Sequence, residues 1–121
     1  MKLIILIMSI LSFLFGGKPQ QNSNITVLST ADFKTAITDK KVQLVDVRTK
    51  NEFDSGHIKK AVNIDVFDKE NFISAFNSYS KEEPIYIYCR SGNRSKKASQ
   101  TLDSLGFKQI FDLKGGFMAW Q

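Results

Sequence analysis

The sequence has few of the residues that build metal centres and disulfides, with one cysteine and one histidine among 121 residues. A single cysteine forms no internal disulfide, so the stability of the domain must come from packing. A metal site at His57 would have to be completed mostly by carboxylates. We therefore expect no bound metal, and we interpret His57 as a residue that makes a local structural hydrogen bond.

Long runs of like charge are also absent from the sequence. The formal net charge is +5, but the 17 lysine and arginine residues are scattered and form no basic block with interleaved aromatic residues. This distribution argues against binding of nucleic acids. The hydrophobic content of 42% and the charged content of 24% are those of an ordinary globular protein, and the length allows one domain with one modest core.

One long uncharged stretch is present, and it lies at the N-terminus. Lys2 precedes thirteen uncharged residues, 3–15, and two glycines follow them. This layout is typical of a signal peptide, and the stretch is shorter than the ~20 residues that span a bilayer. We therefore predict a cleaved signal peptide over residues 1–17, followed by a polar tether over residues 18–24.

Whether this leader is removed determines whether the domain is released or stays attached to the membrane. Bulky Leu14 and Phe15 stand where cleavage sites prefer small residues, so an uncleaved membrane anchor remains the alternative. Cleavage would release the domain, residues 25–121, into the periplasm or the medium without stable membrane contact. Retention of the leader would keep the domain anchored to the membrane. We expect an exported domain in both cases, and we expect it to be a monomer.

Alternating apolar and helical patterns organise the rest of the chain. Strands are predicted at residues 26–28, 42–48, 61–64, 85–89 and 109–113. Helices are predicted from Thr30, over residues 69–79 and 95–105, with one turn at 50–53 and the start of a last helix after Gly115. Five strands that alternate with helices predict a small α/β domain with a parallel sheet.

The single cysteine stands at a strand–loop–helix junction. Cys89 follows an apolar strand directly and precedes a polar, glycine-containing loop that leads into a helix. Such a junction aims backbone N–H groups, and the positive end of the helix dipole, at the mouth of the loop. Together with Arg90 and Arg94, these surroundings favour a thiolate over a buried structural thiol. We therefore predict that Cys89 is a nucleophile with an anion site around it.

Several stretches of the sequence resemble the rhodanese family in its single-domain form. The matching residues are Asp46-Val47-Arg48, Glu52-Phe53, Gly56-His57-Ile58, Ala61, Asn63-Ile64, the run 88–95, Ala98, Leu102, Gly106-Phe107, Leu113, Gly115-Gly116 and Ala119-Trp120. The resemblance implies the rhodanese fold, in which helices cover both faces of a five-stranded parallel sheet. It also implies transfer of sulfane sulfur through a persulfide on Cys89, from a small donor to a thiol or cyanide and without a cofactor.

The same resemblance implies that the loop after Cys89 forms a cradle around the persulfide. The cradle residues are Arg90, Ser91, Gly92, Asn93, Arg94 and Ser95. We expect at least one of the two arginines to contact a bound anion, and Arg94 has the alternative of bracing the loop. Because Arg90 adjoins the thiol and suits a small oxyanion, thiosulfate is the expected donor, with a persulfide or polysulfide as the alternative.

Three charged residues near the end of the second predicted strand are candidate supporting residues. They are Asp46, Arg48 and Glu52. We interpret them as structural, with Arg48 paired to Glu52 to hold the loop that follows the strand. A direct catalytic role for Asp46 and Arg48 is the alternative interpretation.

Two other functions use a loop of this kind. A persulfide carrier or sulfur-binding module needs the same cysteine but hands sulfur only to a protein partner. A cysteine phosphatase also holds a thiolate in an anion-binding loop before a helix, but its pattern has one more residue between the cysteine and the arginine than the four that separate Cys89 from Arg94. The shorter loop favours a sulfur atom over a tetrahedral phosphate.

Overall fold

A computed structural model describes residues 24–121, which form a five-stranded parallel sheet covered by helices on both faces. The strands are β1 (Ile25–Leu28), β2 (Gln43–Asp46), β3 (Val62–Asn63), β4 (Ile85–Tyr88) and β5 (Ile110–Leu113). They stand in the order β1-β5-β4-β2-β3, so β4 occupies the centre of the sheet. The predicted α/β class and the five-stranded parallel sheet are confirmed.

Short polar side chains begin the first three helices. The helices are α1 (Thr30–Ile37), α2 (Lys50–Asp54), α3 (Lys69–Ala75, extended by a 3₁₀ turn at Phe76–Ser78), α4 (Asn93–Ser104) and α5 (Gly116–Trp120). Ser29, Thr49 and Asp68 each accept a hydrogen bond from the backbone N–H group three residues further on. Each side chain thereby satisfies one of the N–H groups that the first turn of a helix leaves unpaired.

The core has two layers because both faces of the sheet are buried. Ile85 and Ile87 of β4 pack on one face with residues of α3 and α4, such as Phe72 and Leu102. Tyr86 and Tyr88, which alternate with them, pack on the other face in a second cluster, which consists of Phe33, Leu44, Ile58, Ala61 and Leu113 with Phe117 and Trp120 against it. A strand that is apolar at every position is typical of a parallel sheet covered on both sides.

The element boundaries differ from the predicted ones at a few positions. Strand β2 is shorter than predicted, and α4 begins at Asn93, two residues before the predicted start at Ser95. The helical spacing of Phe72, Ile73, Phe76 and Tyr79 predicts one buried stripe, but Ile73 is 48% exposed. Phe72 and Phe76 are four residues apart and share the buried face, whereas Ile73 is adjacent to Phe72 in the regular helix and therefore falls outside that face.

The predicted signal peptide and most of the predicted tether, residues 1–23, lie outside the described residues. Between residue 24 and residue 121, no helix combines the length and the apolar character needed to cross a membrane. The division into leader, tether and domain therefore stays a prediction.

Candidate active site

Cys89 lies directly after the central strand, at the carboxyl edge of the sheet, and its side chain is turned into the loop that follows. The residue is 1% exposed. Its Sγ accepts a hydrogen bond from the Gly92 N–H group at 3.0 Å and contacts the Ser95 hydroxyl at 3.4 Å. The Ser95 hydroxyl also donates to the Gly92 carbonyl at 3.3 Å. The loop thus surrounds the sulfur with polar groups at the point where the helix begins.

Gly92 makes this tight loop possible through its backbone conformation. Its φ of 114° is a value that L side chains rarely adopt, and it directs the Gly92 N–H group back towards Cys89. The next residue, Asn93, begins α4, so the sulfur also lies near the positive end of a twelve-residue helix. Both features favour negative charge on the sulfur.

The start of α5 supports the loop from behind. The N–H groups of Phe117 and Met118 donate to the carbonyls of Cys89 and Arg90, at 2.8 and 3.0 Å. Gly116 lies so close to this backbone that an added Cβ would stand 2.5 Å from the Arg90 carbonyl oxygen. The glycine therefore permits α5 to dock against the loop and to take up two of its carbonyl groups.

Arg94 braces the loop and does not contact the sulfur. Its guanidinium group donates to both carboxylate oxygens of Glu52, at 2.7 and 2.9 Å, and stacks against the exposed ring of Phe67. Hydrogen bonds from Arg94, together with those from the backbone and side chain of Thr49, lower the pKa of Glu52 to about 2. A bidentate pair of this kind fixes the beginning of α4 against α2.

The expected pair of Arg48 with Glu52 does not form. Arg48 instead makes a buried ion pair with Asp46 at 2.7 Å and donates to the Gly56 carbonyl at 2.6 Å. Its guanidinium group stacks on the ring of Phe117, with the centroid at 4.5 Å. Asp46 lies only two residues from Arg48 at the end of the same strand, and Glu52 is already paired with Arg94. Arg48 therefore pairs with the nearer carboxylate, that of Asp46.

The remaining predicted residues occupy the outer side of the loop. Arg90, Ser91 and Asn93 are exposed, and Arg90 lines a shallow groove with Glu52 and Met118. The structure does not place Arg90 against an anion, so its anion contact stays a prediction.

The single histidine of the chain has a local role. The His57 ring stacks on Phe53 and hydrogen-bonds to the Phe53 carbonyl at 2.9 Å. Within residues 24–121, no three His, Cys, Asp or Glu side chains are placed to hold a metal ion.

Asp112, which was not predicted from the sequence, contributes a buried carboxyl group near the loop. Asp112 is 5% exposed and lies in β5, next to the central strand. Burial raises the pKa of Asp112 to about 6, and the nearby Ser95 hydroxyl lowers it in part. An acidic residue inside the otherwise apolar strand Ile110–Leu113 was the signal that could have identified it.

A comparison with protein-family models matches residues 29–121 to the rhodanese-like domain. This chain belongs to the rhodanese-like family. The match covers nearly all of the described sheet and helices, and it includes the loop that holds Cys89.

Sequence relatives and a solved structure agree with this assignment. The rhodanese-like chain is 32% identical to the uncharacterized protein YqhL of Bacillus subtilis, over 99% of this chain and 91% of that protein. It is 37% identical to the thiosulfate sulfurtransferase GlpE of Shewanella oneidensis, over 67% of this chain and 77% of that protein. A rhodanese-like domain protein from Staphylococcus aureus superposes with a TM-score of 0.70 at 33% identity, covering 79% of this chain and 91% of that one.

Other relatives carry a similar domain within a longer protein. The chain is 38% identical to a tRNA uridine(34) hydroxylase of Pelagibacter ubique over 68% of its own length, but it spans only 27% of that protein. The family therefore includes proteins whose names indicate different activities.

The ion pair between Arg94 and Glu52 should make the free energy of unfolding depend on pH. The Glu52→Gln substitution is expected to lower the free energy of unfolding by about 1 kcal/mol at neutral pH. Because the pKa of Glu52 is lowered in the fold, this stabilisation is present above about pH 4.5 and is lost as the pH falls towards about 2. Urea unfolding of both proteins between these pH values measures the difference, which should shrink with acidification.

Asp54→Asn is the matched control for this prediction. Asp54 pairs with Lys50 through side chains that are 53% and 80% exposed, so its loss should change the free energy of unfolding by less than about 0.5 kcal/mol. An equal effect of the two substitutions, or a Glu52→Gln difference that does not change with pH, would contradict the bracing role.

The close approach of α5 gives a second prediction. Gly116→Ala is expected to destabilise the domain by more than about 2 kcal/mol, because the new Cβ overlaps backbone atoms of Cys89 and Arg90 that cannot rotate away. Thermal and urea unfolding measure the loss. Gly106→Ala is the control, since Gly106 also has a positive φ but its Cβ would meet only the flexible end of Lys81, at 3.7 Å. Equal losses at the two positions would show that the docking contact is unimportant.

Proposed function

We propose that this rhodanese-like domain is a sulfurtransferase that carries sulfane sulfur as a persulfide on Cys89. The observation that supports the proposal best is the direct hydrogen bond from the Gly92 N–H group to the Cys89 sulfur, at the start of α4. A fixed N–H donor stabilises negative charge without reorganisation during the reaction. Such charge is present on the thiolate before transfer and on the persulfide after it.

The proposed reaction has two displacement steps. In the first, the Cys89 thiolate attacks the outer sulfur of thiosulfate, the S–S bond breaks, and sulfite leaves with the electron pair. In the second, a thiol acceptor in its thiolate form, or cyanide, attacks the outer sulfur of the persulfide, and the Cys89 thiolate leaves. Sulfur changes carrier in both steps and no external oxidant is consumed, so the reaction requires no metal or cofactor.

Thiosulfate is the proposed donor because of the charge beside the loop. Arg90 follows Cys89 directly in the chain and is exposed, whereas Arg48 and Arg94 are engaged in ion pairs with Asp46 and Glu52. Arg90 is therefore the arginine in the loop region that can meet a small dianion. The similarity to a protein named thiosulfate sulfurtransferase supports this choice of donor.

A persulfide carrier that serves a protein partner is the second candidate. The observation that favours it is Met118, a 56% exposed apolar side chain that lines the same groove as Arg90. A surface with an apolar residue beside a cation suits contact with a protein better than contact with a small anion. In this case sulfur would arrive on a protein persulfide and thiosulfate would not load Cys89.

Incubation with thiosulfate is expected to add one sulfur atom to the purified protein, as measured by intact-mass spectrometry. The adduct should disappear on addition of cyanide, because cyanide attacks the outer sulfur of the persulfide. The Cys89→Ser variant should show no adduct, since its hydroxyl cannot form the persulfide.

Other outcomes of this experiment separate the candidates. Loading by a protein persulfide but not by thiosulfate would select the carrier, and failure with every sulfane donor would refute sulfur transfer. Hydrolysis of an aryl phosphate that depends on Cys89 would instead support a phosphatase. Arg90→Gln should slow loading by thiosulfate, whereas Lys50→Gln removes an equal charge from an exposed helix position and should not.

We also propose that the domain is exported as a monomer after removal of residues 1–17. The proposal rests on the apolar stretch after Lys2 and on the small residues that follow it. N-terminal sequencing of the exported protein is expected to begin at Lys18. A sequence that begins at Met1, in protein that sediments with membranes, would show that the leader is retained as an anchor.

A further inference from the structure

A groove beside the loop has a buried, incompletely paired carboxyl group at its base. The groove has a volume of about 420 Å³ and runs between α4 and the carboxyl ends of β1 and β5, where Val27, Gln100 and Leu113 are among its lining residues. Asp112 also lines it, although this residue is only 5% exposed. The Oδ1 atom of Asp112 has no hydrogen-bond partner among the described residues, so the groove leads to an acceptor that is not satisfied.

The sheet around Asp112 supplies no cation. In the sheet Asp112 is paired with Val27 of β1 and with Ile87 of β4, and both side chains are apolar. The pKa of Asp112, raised by burial to about 6, leaves the carboxyl group mostly ionised at neutral pH. A buried carboxylate oxygen without a donor costs free energy, and packing of the domain does not require it. The group therefore suits a cationic donor that enters through the groove.

Two lysines give the outer part of the groove a positive charge. Lys96 of α4 and Lys114, directly after β5, both line the groove and are exposed. Among residues 24–121 neither ammonium group forms an ion pair. Gln100 stands one turn after Lys96 on the same face of α4 and adds an amide group. One acid at the base and two cations above it match a ligand that carries both signs of charge.

The groove adjoins the loop that holds Cys89. Gly92 lines the groove, and its N–H group donates to the Cys89 Sγ at 3.0 Å. A Cβ added at Gly92 would lie 3.9 Å from the backbone nitrogen of Gly115, so the loop approaches the turn after β5 closely at this point. A ligand that fills the groove therefore contacts the loop around the sulfur.

We infer that this groove binds a small zwitterion, with the ammonium group of the ligand at Asp112 Oδ1 and its carboxylate between Lys96 and Lys114. An ammonium group has three N–H donors and satisfies the unpaired carboxylate oxygen through a charge-assisted hydrogen bond. The carbon skeleton of the ligand has an apolar neighbour in Val27, which lines the groove and is 57% exposed. An α-amino acid has this combination of groups.

The bound zwitterion is the acceptor of sulfur, and this step rests on the proposed function. An amino acid with a thiol side chain, held at Asp112, brings its own sulfur to the side of the loop that Gly92 forms. Its thiolate attacks the outer sulfur of the Cys89 persulfide, the S–S bond breaks, and the Cys89 thiolate leaves with the electron pair. The ligand departs as a persulfide, and no oxidant or reductant is consumed.

Binding of S-methyl-L-cysteine tests the groove without sulfur transfer, because the methyl group blocks the thiol of the ligand. In an NMR titration the backbone amide signals of Lys96, Gln100 and Lys114 should shift. The dissociation constant should rise at least about tenfold in Asp112→Asn, which loses the charge but keeps the size of the side chain. N-acetyl-S-methyl-L-cysteine, which has no ammonium group, should bind the unchanged protein at least about tenfold more weakly.

Lys96→Gln and Lys97→Gln are a matched pair that does not depend on the folding of a core variant. Both residues are exposed on α4, but Lys97 lines a different groove, beside Phe72 of α3. Lys96→Gln should weaken binding of S-methyl-L-cysteine about threefold, and Lys97→Gln should leave it unchanged. No binding by the unchanged protein, equal binding of the two ligands, or equal effects of the two lysine substitutions would overturn the inference.

Sulfur transfer from the loaded protein tests whether the zwitterion is the acceptor. At equal thiolate concentration, L-cysteine should remove sulfur from Cys89 about tenfold faster than cysteamine, which lacks the carboxylate, or N-acetyl-L-cysteine, which lacks the ammonium group. Equal rates for the three thiols would refute the acceptor role. If no donor loads Cys89, the proposed function fails, while the binding titration still decides whether the groove is a zwitterion site.

Discussion

The hydrogen bond from the Gly92 N–H group to the Cys89 sulfur requires the chain to reverse its direction within three residues. The start of α4 and the docking of α5 depend on this turn. The turn requires a positive φ at Gly92, which lets α4 begin one residue later. It also leaves the carbonyls of Cys89 and Arg90 facing outward, where the N–H groups of Phe117 and Met118 take them up. The β4 strand, the loop and α5 are thus parts of one arrangement around a sulfur atom.

Two arginine side chains near the loop are already neutralised by carboxylates. Asp46 neutralises Arg48 in the interior, and Glu52 neutralises Arg94 at the base of the loop. Both pairs hold together backbone segments around the loop. Arg48 links the end of β2 to the Gly56 carbonyl, and Arg94 links α4 to α2. Under the proposed function, binding of an anion by the loop would therefore depend on backbone N–H groups and on Arg90 more than on the number of arginines nearby.

The sequence predicted the strands, the helices and the position of Cys89, because these follow from local apolar patterns and from the order of residues along the chain. It did not predict the ion pairs. Glu52 could pair with Arg48 nearby or with Arg94 far along the chain, and only the packing of α2 against α4 decides between them. Asp112 was missed for a similar reason, since its place beside the central strand arises from the pairing of β5 with β4 in the sheet.

The central place of β4 has a consequence for motion. This strand is hydrogen-bonded to β2 on one side and to β5 on the other, and all four of its residues are buried, so its amide protons should be among the last to exchange with solvent. The loop beyond it lies outside the ladder of the sheet and is held by separate hydrogen bonds, so its amide protons should exchange sooner. Any local opening of the loop would therefore leave the strand that carries the sulfur in place.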